Sequence, residues 1–422
     1  MGTFVLLLLL SVPIGSAIGL AVVTTIIAFP NMTTFGFLGS AMITSLNSFP
    51  LLAVPFFMLC GSIMGAGGLS QRLVRIGEAL VGRFTGGLAM VTVVCCLFFG
   101  AISGSAPATV AAIGGIMIPA MVSKNYDKEF ATGLSAVSGG LGVIIPPSIP
   151  FVFYGLSTGV SIGTLFMAGV IPGFIAGFLL CFVSTVICKR RGFTGTGHKF
   201  DAKELGAALW DGKWALLVPV IILGGIYGGI FTPTEAAVVA CVYGIIVGKF
   251  IYKELAWKDM VPLIIDNGKL FGSVAITIAT ATVMGKLFSI MGLPATIASA
   301  IGQMTDNKIV VLLVINFFLL IVGMCMDVGA AILILAPVLY QVILPFGIDP
   351  VQFGVVMVIN LAIGMCTPPV AINLFVASGM TGVPMMKVAK QAVPFIIAML
   401  ICLMLVTFIP GLSTWLPSIL AG

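Results

Sequence analysis

Eleven stretches of this chain are apolar almost from end to end: 3–29, 50–69, 87–122, 129–157, 162–188, 213–231, 234–252, 269–291, 308–344, 351–379 and 392–416. A helix needs about 20 such residues to cross a hydrocarbon core. The 422 residues therefore have room for roughly ten crossings joined by short connections. Transmembrane β-strands alternate apolar and polar residues, and these segments do not. Only 8% of the residues are charged, too few to cover the surface of a soluble protein of this length, and 60% are hydrophobic, which excludes disorder. The fold class expected is an all-α polytopic membrane protein. Its 52 glycines and 23 prolines suit helices that break and pack closely inside a bilayer.

The rest of the inventory narrows the function. The run Phe4–Leu10 has no basic flank and no soluble domain behind it, so it does not read as a secretory leader. The nine cysteines all lie in apolar stretches without a CxxC pair, and read as small core residues, not as a disulfide framework or zinc site. The single histidine, His198, sits in a basic loop, which argues against a histidine metal site or a His-dependent triad. No GxxxxGK[ST] loop is present, so ATP hydrolysis by that route is not expected. The net charge of +6 follows topology and points to no nucleic acid. No nucleophile–base pair is evident, and an enzyme is not expected.

Two of the apolar stretches are too long for one crossing and are interrupted in the middle. Stretch 87–122 is broken by Ser103-Gly104-Ser105-Ala106-Pro107, and 308–344 around Met326-Asp327-Val328-Gly329. Each arm has roughly 15–18 residues, short for a full crossing. Both read as re-entrant helical hairpins, because irregular backbone at membrane depth survives only where protein or a wet cavity satisfies it. Orientation follows from lysine and arginine. With loop 189–213 in the cytoplasm, counting crossings puts 17 of the 19 basic residues on that side, leaving out only Lys286 and Lys308. The stretches 30–49 and 345–350, expected in the periplasm, contain none. The four tryptophans, Trp210, Trp214, Trp257 and Trp415, fall near span ends, as interfacial tryptophans do.

The sequence also repeats itself. Asp127, Pro146-Pro147 and Pro172 recur 222 residues later as Asp349, Pro368-Pro369 and Pro394. Gly142 falls on Gly364, span 50–69 on 272–291, and Ser105 on Asp327 at the same offset. The expected organisation is a first repeat at 1–200, with its hairpin at 87–122 and broken helix at 129–157. A cytoplasmic linker and the start of a linking helix follow at 201–222. The second repeat covers 223–422, with its hairpin at 308–344 and broken helix at 351–379. Five crossings separate Asp127 from Asp349, so the repeats are inverted and the hairpins enter from opposite sides. Inverted repeats with broken helices near the midplane are the pattern of secondary transporters. The turn Thr232-Pro233-Thr234 maps next to Pro13. Segment 3–29 is therefore one long helix, with the N-terminus in the cytoplasm, or two short ones, with the N-terminus in the periplasm.

The chemistry is expected at the breaks. Each Pro-Pro removes backbone donors and frees the carbonyl four residues earlier, at Gly142 and Gly364. Such carbonyls, with nearby hydroxyls, are hard oxygen ligands suited to Na⁺. The alternative is a plain proline kink. The first tip offers Ser103, Ser105, Thr109 and helix N-terminal N–H groups, which favour anions. Asp327 is the main buried-charge candidate, as a cation ligand, an acceptor for substrate hydroxyl or amide groups, or a helix N-cap. Glu235 reads as a helix-start residue and Lys286 as a snorkelling one. Asn360 and Asn373 flank the second break and are placed to orient it.

The tip S-G-S-A-P-A-T-V, the break G-x-I-I-P-P-S-I at 142–149, T-P-T-E-A-A at 232–237 and C-T-P-P-V-A-I-N at 366–373 resemble the large membrane (permease) subunit of TRAP, tripartite ATP-independent periplasmic, transporters. The resemblance covers essentially the whole chain. It implies sodium-coupled uptake of an organic acid (a sialic acid, a dicarboxylate or a keto acid) across the bacterial inner membrane by an elevator mechanism. A transport domain of hairpins and broken spans would move against a static scaffold. It implies two partners, a small four-helix membrane subunit and a periplasmic substrate-binding protein, and no cofactor beyond sodium as the coupling ion. Carried onto this sequence, substrate contacts fall on Ser103, Ser105, Ser148, Asp327 and Thr367. Sodium contacts fall on Ser103, Gly142, Ile145, Gly323, Asp327, Gly364, Cys366 and Thr367. The small partner has no counterpart before Met1, which reads as the unfused form. The amphipathic stretches Asn31–Phe49 and Gly292–Asp306 are expected on the periplasmic side, for docking or scaffold packing. The competing reading is a stand-alone sodium- or proton-coupled carboxylate carrier of the same architecture. A channel is disfavoured because the hairpins approach from opposite sides.

Overall fold

The computed structural model describes residues 2–10, 12–29, 34–193, 201–305 and 307–420. His198, Lys199, Asn31 and Asp306 lie outside the described residues.

The apolar segments become helices because a helix bonds its interior backbone groups within itself, where no water reaches them. In chain order the helices are α1 (Gly2–Leu9), α2 (Ile14–Ala28), α3 (Phe35–Leu46), α4 (Ala53–Ala66), α5 (Leu69–Val81), α6 (Gly87–Ser103) and α7 (Ala106–Ser123). There follow α8 (Lys128–Gly139), α9 (Leu141–Ile144), α10 (Ile149–Thr158), α11 (Ile162–Arg191), α12 (Ala202–Tyr227), α13 (Pro233–Ile246) and α14 (Trp257–Ile290). The last seven are α15 (Leu293–Met304), α16 (Lys308–Cys325), α17 (Val328–Ile343), α18 (Pro350–Gly364), α19 (Ile372–Thr381), α20 (Met385–Phe408) and α21 (Gly411–Leu420). Among the described residues, nine helices are long and apolar enough to cross a membrane, or ten with the pair α8–α9 and α10, bent by 42°, taken as one. Large apolar side chains such as Phe174, Phe178 and Phe182 on α11 stay exposed, as a lipid-facing surface requires.

Several expectations change. Segment 3–29 is two helices, α1 and α2, with Pro13 at the start of the second. The polar run 257–268, which reads as a loop, is the first third of the 34-residue α14. Segment 392–416 is divided: α20 begins earlier, at Met385, and α21 follows after Pro410. The expected amphipathic stretches contain α3 and α15. Cys325 is exposed and Cys181 half-buried, while the other seven cysteines are buried. Glu235 takes the expected helix-start role: it and Thr232 bond each other's backbone N–H in a capping box.

Boundaries recur at the offset of 222. The tip breaks begin after Ser103 and Cys325, the following arms begin at Ala106 and Val328, and the broken spans begin at Lys128 and Pro350. The Pro146-Pro147 and Pro368-Pro369 bonds are both cis. One pair departs from this likeness. Helices α3 and α4 are separated at Asn47–Leu52 around Pro50, whereas the equivalent residues 257–288 lie in the unbroken α14. The position of Pro50 is Gly272 in α14, so the missing N–H and ring clash that break the first are absent from the second.

Ion pairs gather the ends expected in the cytoplasm. Arg191 bonds Asp127 at 3.0 Å and Lys387 bonds Glu129 at 3.1 Å. Arg72 reaches Glu254 at 2.7 Å, and Arg75 reaches Asp211 at 3.2 Å. Being partly exposed, such pairs contribute about 0–1 kcal/mol each. At the ends expected in the periplasm, Tyr154 donates to the Pro350 carbonyl at 2.8 Å and Thr234 to the Phe49 carbonyl at 3.1 Å.

Candidate functional site at two hairpin tips

The first tip is Gly104-Ser105, between α6 and α7. Ser103 and Thr109 are both buried, and their hydroxyl oxygens lie 3.1 Å apart. Thr109 Oγ1 donates to the Ser105 carbonyl at 2.8 Å. Ser105 occupies the N-cap of α7, yet its side chain makes no capping bond. The first N–H groups of an 18-residue helix are thus left to whatever lies in front of them. The tip is tied to the first break by Ile149 N–H, which donates to the Gly104 carbonyl at 3.2 Å.

In the first break, Ile145 N–H goes back to Leu141 O, and Pro146 and Pro147 have no N–H. The Gly142 carbonyl therefore has no helical partner, as the sequence leads one to expect. Gly142 lies so close to the first hairpin that a Cβ added there would come within 2.7 Å of Ser105 O and would overlap Thr109 Oγ1. Ser148 is fully buried; its hydroxyl donates to Val143 O at 2.5 Å and caps α10 by accepting from Phe151 N–H at 3.5 Å.

The second tip has the same outline with different contents. Asp327 is the N-cap of α17, and its Oδ2 accepts from Gly329 N–H at 2.8 Å and Ala330 N–H at 3.4 Å. It lies deep in the protein, and its free face opens on a cavity. The N-cap role and an open face coexist because a carboxylate has a second oxygen. The second break differs from the expectation at Gly364, whose carbonyl accepts from Thr367 N–H at 2.9 Å. A turn continues past the helix end here, so Pro368 does not orphan that carbonyl. Thr367 also bonds Ile363 O through its hydroxyl at 2.9 Å. Gly364 packs on the backbone of Gly323, with a would-be Cβ 2.7 Å from Gly323 O. Asn373 orients this break: its N–H goes to Met365 O at 3.0 Å, and its amide reaches Ala136 O at 3.3 Å and the Cys366 sulfur at 3.5 Å. Asn360 instead bonds Asn316 at 3.0 Å, and Asn316 in turn bonds Thr407.

A cavity of about 410 Å³ joins the two tips. Ser103, Ser105 and Asp327 line it, with Phe153 of α10 and Met365 of the second break. Its far wall is α4 and α14, through Ser62 and Asn267. Asn267 is buried, accepts from Ser62 Oγ at 3.3 Å and donates to Leu263 O at 2.8 Å. A second cavity of about 340 Å³ lies on the other side of Asp327, against Pro13–Ser16 and α14. The structure thus brings Ser103, Ser105 and Asp327 to one space, with Gly142 directly behind the first tip. Ser148, Thr367, Cys366, Gly364, Gly323 and Ile145 stand in the breaks and arms behind it and do not line it. Sequence reasoning missed Ser62 and Asn267. The run Asp266-Asn267-Gly268-Lys269 is polar enough to read as a loop, and only the continuity of α14 carries it into the wall.

The chain is similar to known proteins over most of its length. Residues 1–412 fit the family described as Tripartite ATP-independent periplasmic transporter, DctM component. The chain belongs to this family. It is 45% identical over 411 residues to the isethionate TRAP transporter permease protein DctMQ of Oleidesulfovibrio alaskensis, covering 97% of this chain but 65% of that protein's length. It is 38% identical over 445 residues to the C4-dicarboxylate TRAP transporter large permease protein DctM of Vibrio cholerae, covering 99% and 96% of the two. It is 36% identical over 411 residues to the sialic acid TRAP transporter large permease protein SiaM of the same organism, covering 97% and 96%. Among solved structures, the YdaH transporter of Alcanivorax borkumensis superposes with a TM-score of 0.63 over 89% of this chain and 88% of that one. At 15% identity the likeness is one of fold alone. These relatives are permeases, not enzymes. With its spans, this DctM component is a multi-pass protein of the bacterial inner membrane.

Proposed function

We propose that this DctM component is the substrate-carrying subunit of a sodium-coupled importer of an organic acid. It would work with a small four-helix membrane subunit and a periplasmic binding protein, and move its substrate by an elevator mechanism. The observation that carries the reading is the single cavity to which both tips contribute, one tip with open helix N–H groups and the other with a carboxylate. The substrate carboxylate sits on the uncapped N-terminus of α7 beside Ser105. Its hydroxyl or amide groups donate to Asp327. Sodium sits behind each tip. The first ion takes the carbonyls of Gly142 and Ile145 with Ser103 Oγ. The second takes the carbonyls of Gly323, Gly364 and Cys366 with Thr367, close to Asp327. Ser148 and Thr367, expected as substrate contacts, hold the shape of the breaks from behind in this conformation.

The recurrence of element boundaries at 222 residues supports two inverted repeats, 1–200 and 223–422 joined through 201–222, with α6–α7 and α16–α17 as the re-entrant hairpins. By length and composition α7, α16 and α17 would also pass as crossings. The broken tips packed on broken spans favour the hairpin reading. Relatives named for isethionate, C4-dicarboxylates and sialic acid keep the substrate within small organic anions. The stand-alone carrier draws no support from them.

Uptake into proteoliposomes holding the large and small subunits tests the reading. It should need an inward sodium gradient and added binding protein together. Asp327→Ala should abolish it while the protein still inserts and binds the small subunit. Uptake without sodium, or wild-type uptake in that variant, would overturn the reading, and uptake without binding protein would favour the stand-alone carrier.

A further inference from the structure

A cavity larger than the one between the tips lies near the ends expected in the periplasm. It is an open space of about 700 Å³ between α3, α10, α14 and α17. Lys286 lines it and is exposed within it. This is one of the two basic residues that the cytoplasmic rim does not account for. Among the described residues no carboxylate pairs with it. Hydroxyls line the same cavity: Thr44, Ser45, Ser48, Ser157, Thr282 and Ser289. Five of them spend their protons on their own helices, Thr44 on Ser40 O at 2.7 Å among them, and Ser289 also accepts from Gln341 Nε2 at 3.2 Å. Ser45 donates to Met42 O at 2.8 Å, Ser157 to Phe153 O at 2.7 Å, Thr282 to Ile278 O at 2.8 Å and Ser289 to Gly285 O at 3.2 Å. A hydroxyl that donates in this way keeps lone pairs free to accept. The space therefore offers one unpaired cation among several acceptors. A single anionic group with hydroxyl or amide donors fits that set, and a second carboxylate meets lone pairs.

The cavity is also one of a row of neighbours that ends at the tips. It shares Leu333 of α17 with the 340 Å³ cavity, which shares Asp327 with the 410 Å³ cavity. Asp327 lies six residues before Leu333, roughly 9 Å along the helix.

We propose that the cavity around Lys286 is a first binding station for a hydroxylated mono-anion, occupied before the anion reaches Asp327 and Ser105. The proposal rests on the reading of the chain as an organic-acid importer and deepens it, favouring a hydroxy or sugar acid over a dicarboxylate. The test is the labelling rate of the thiol introduced by Thr282→Cys, in the full chain with its small subunit and in a Cys325→Ser background. An anionic methanethiosulfonate should react faster than a cationic one, and Lys286→Gln should shift that ratio on the order of tenfold. Lys286→Arg should restore it. Gluconate and isethionate should slow labelling more than succinate does, and should still do so when Asp327→Ala is added. A charge preference indifferent to Lys286→Gln would overturn the proposal. So would succinate protecting as well as gluconate, or protection that vanishes with Asp327→Ala. Wild-type proteoliposomes that, with sodium and binding protein, take up no organic acid, sialic acids and C4-dicarboxylates included, would sink the importer reading alone, because labelling and protection are read without transport.

Discussion

The two tips occupy equivalent places and are built from opposite materials. Behind the first, Gly142 faces oxygen atoms, the Ser105 carbonyl and the Thr109 hydroxyl, and its own carbonyl is unclaimed. Behind the second, Gly364 faces the Gly323 backbone, and its carbonyl already accepts a bond from Thr367. In front, Ser105 leaves α7 uncapped, while Asp327 caps α17. A side chain can turn aside, whereas a backbone cannot. At Gly364 the nearest neighbours are therefore backbone, whereas at Gly142 a hydrogen-bonded side chain shares the contact with the backbone of Ser105 and Gly100.

The comparison breaks most easily at the glycines. Gly364→Ala forces the Gly323 backbone away, at a cost of about 3 kcal/mol or more. Gly142→Ala meets the Thr109 side chain as well as a carbonyl and should cost roughly 1–3 kcal/mol. Thermal midpoints in detergent check the order; equal losses would mean the two regions are not differently built. Next come the hydroxyls behind the breaks. Ser148→Ala strands the Val143 carbonyl in a fully buried place and should cost about 1–3 kcal/mol. Thr367→Ala removes a bond within its own turn at a half-buried site and should cost about 0.5 kcal/mol. The smallest contrast is at the caps. Asp327→Ala should destabilise by about 1 kcal/mol through the lost cap, and Ser105→Ala by about nothing, because its side chain caps nothing. Hydrogen exchange at the first turns of α17 and α7 reads this directly. Faster exchange in α7 from Ser105→Ala would contradict the uncapped N-terminus.

Much of this was legible in the sequence, because membrane helices announce themselves by length and proline announces itself by what it removes. The two tips, the two breaks and the helix-start role of Glu235 follow from residue type and spacing. The offset of 222 put Ser105 opposite Asp327 before any coordinates did, and both are N-caps. What the sequence could not give was decided by neighbours far away in the chain. Whether the Gly364 carbonyl finds a donor depends on how the backbone turns after Cys366. Asn267 reaches the cavity wall only because α14 runs on through a polar stretch. The exposure of Asp327 depends on how far α4 and α14 stand from the tips. The same limit hid Lys286, which beside an apolar run reads as a residue reaching for the interface and in the fold lines a cavity.

Helix α14 has 34 residues. At 1.5 Å per residue it is about 51 Å long, against a hydrocarbon core of about 30 Å. A rod of that length has to lean or run out along the surface. Its counterpart escapes the constraint, because Pro50 divides it into α3 and α4, each shorter than the core is thick. Bilayer thickness therefore bears on this span and not on its divided counterpart. This span walls all three cavities, so a change in the thickness of the surrounding bilayer is felt at their shared wall.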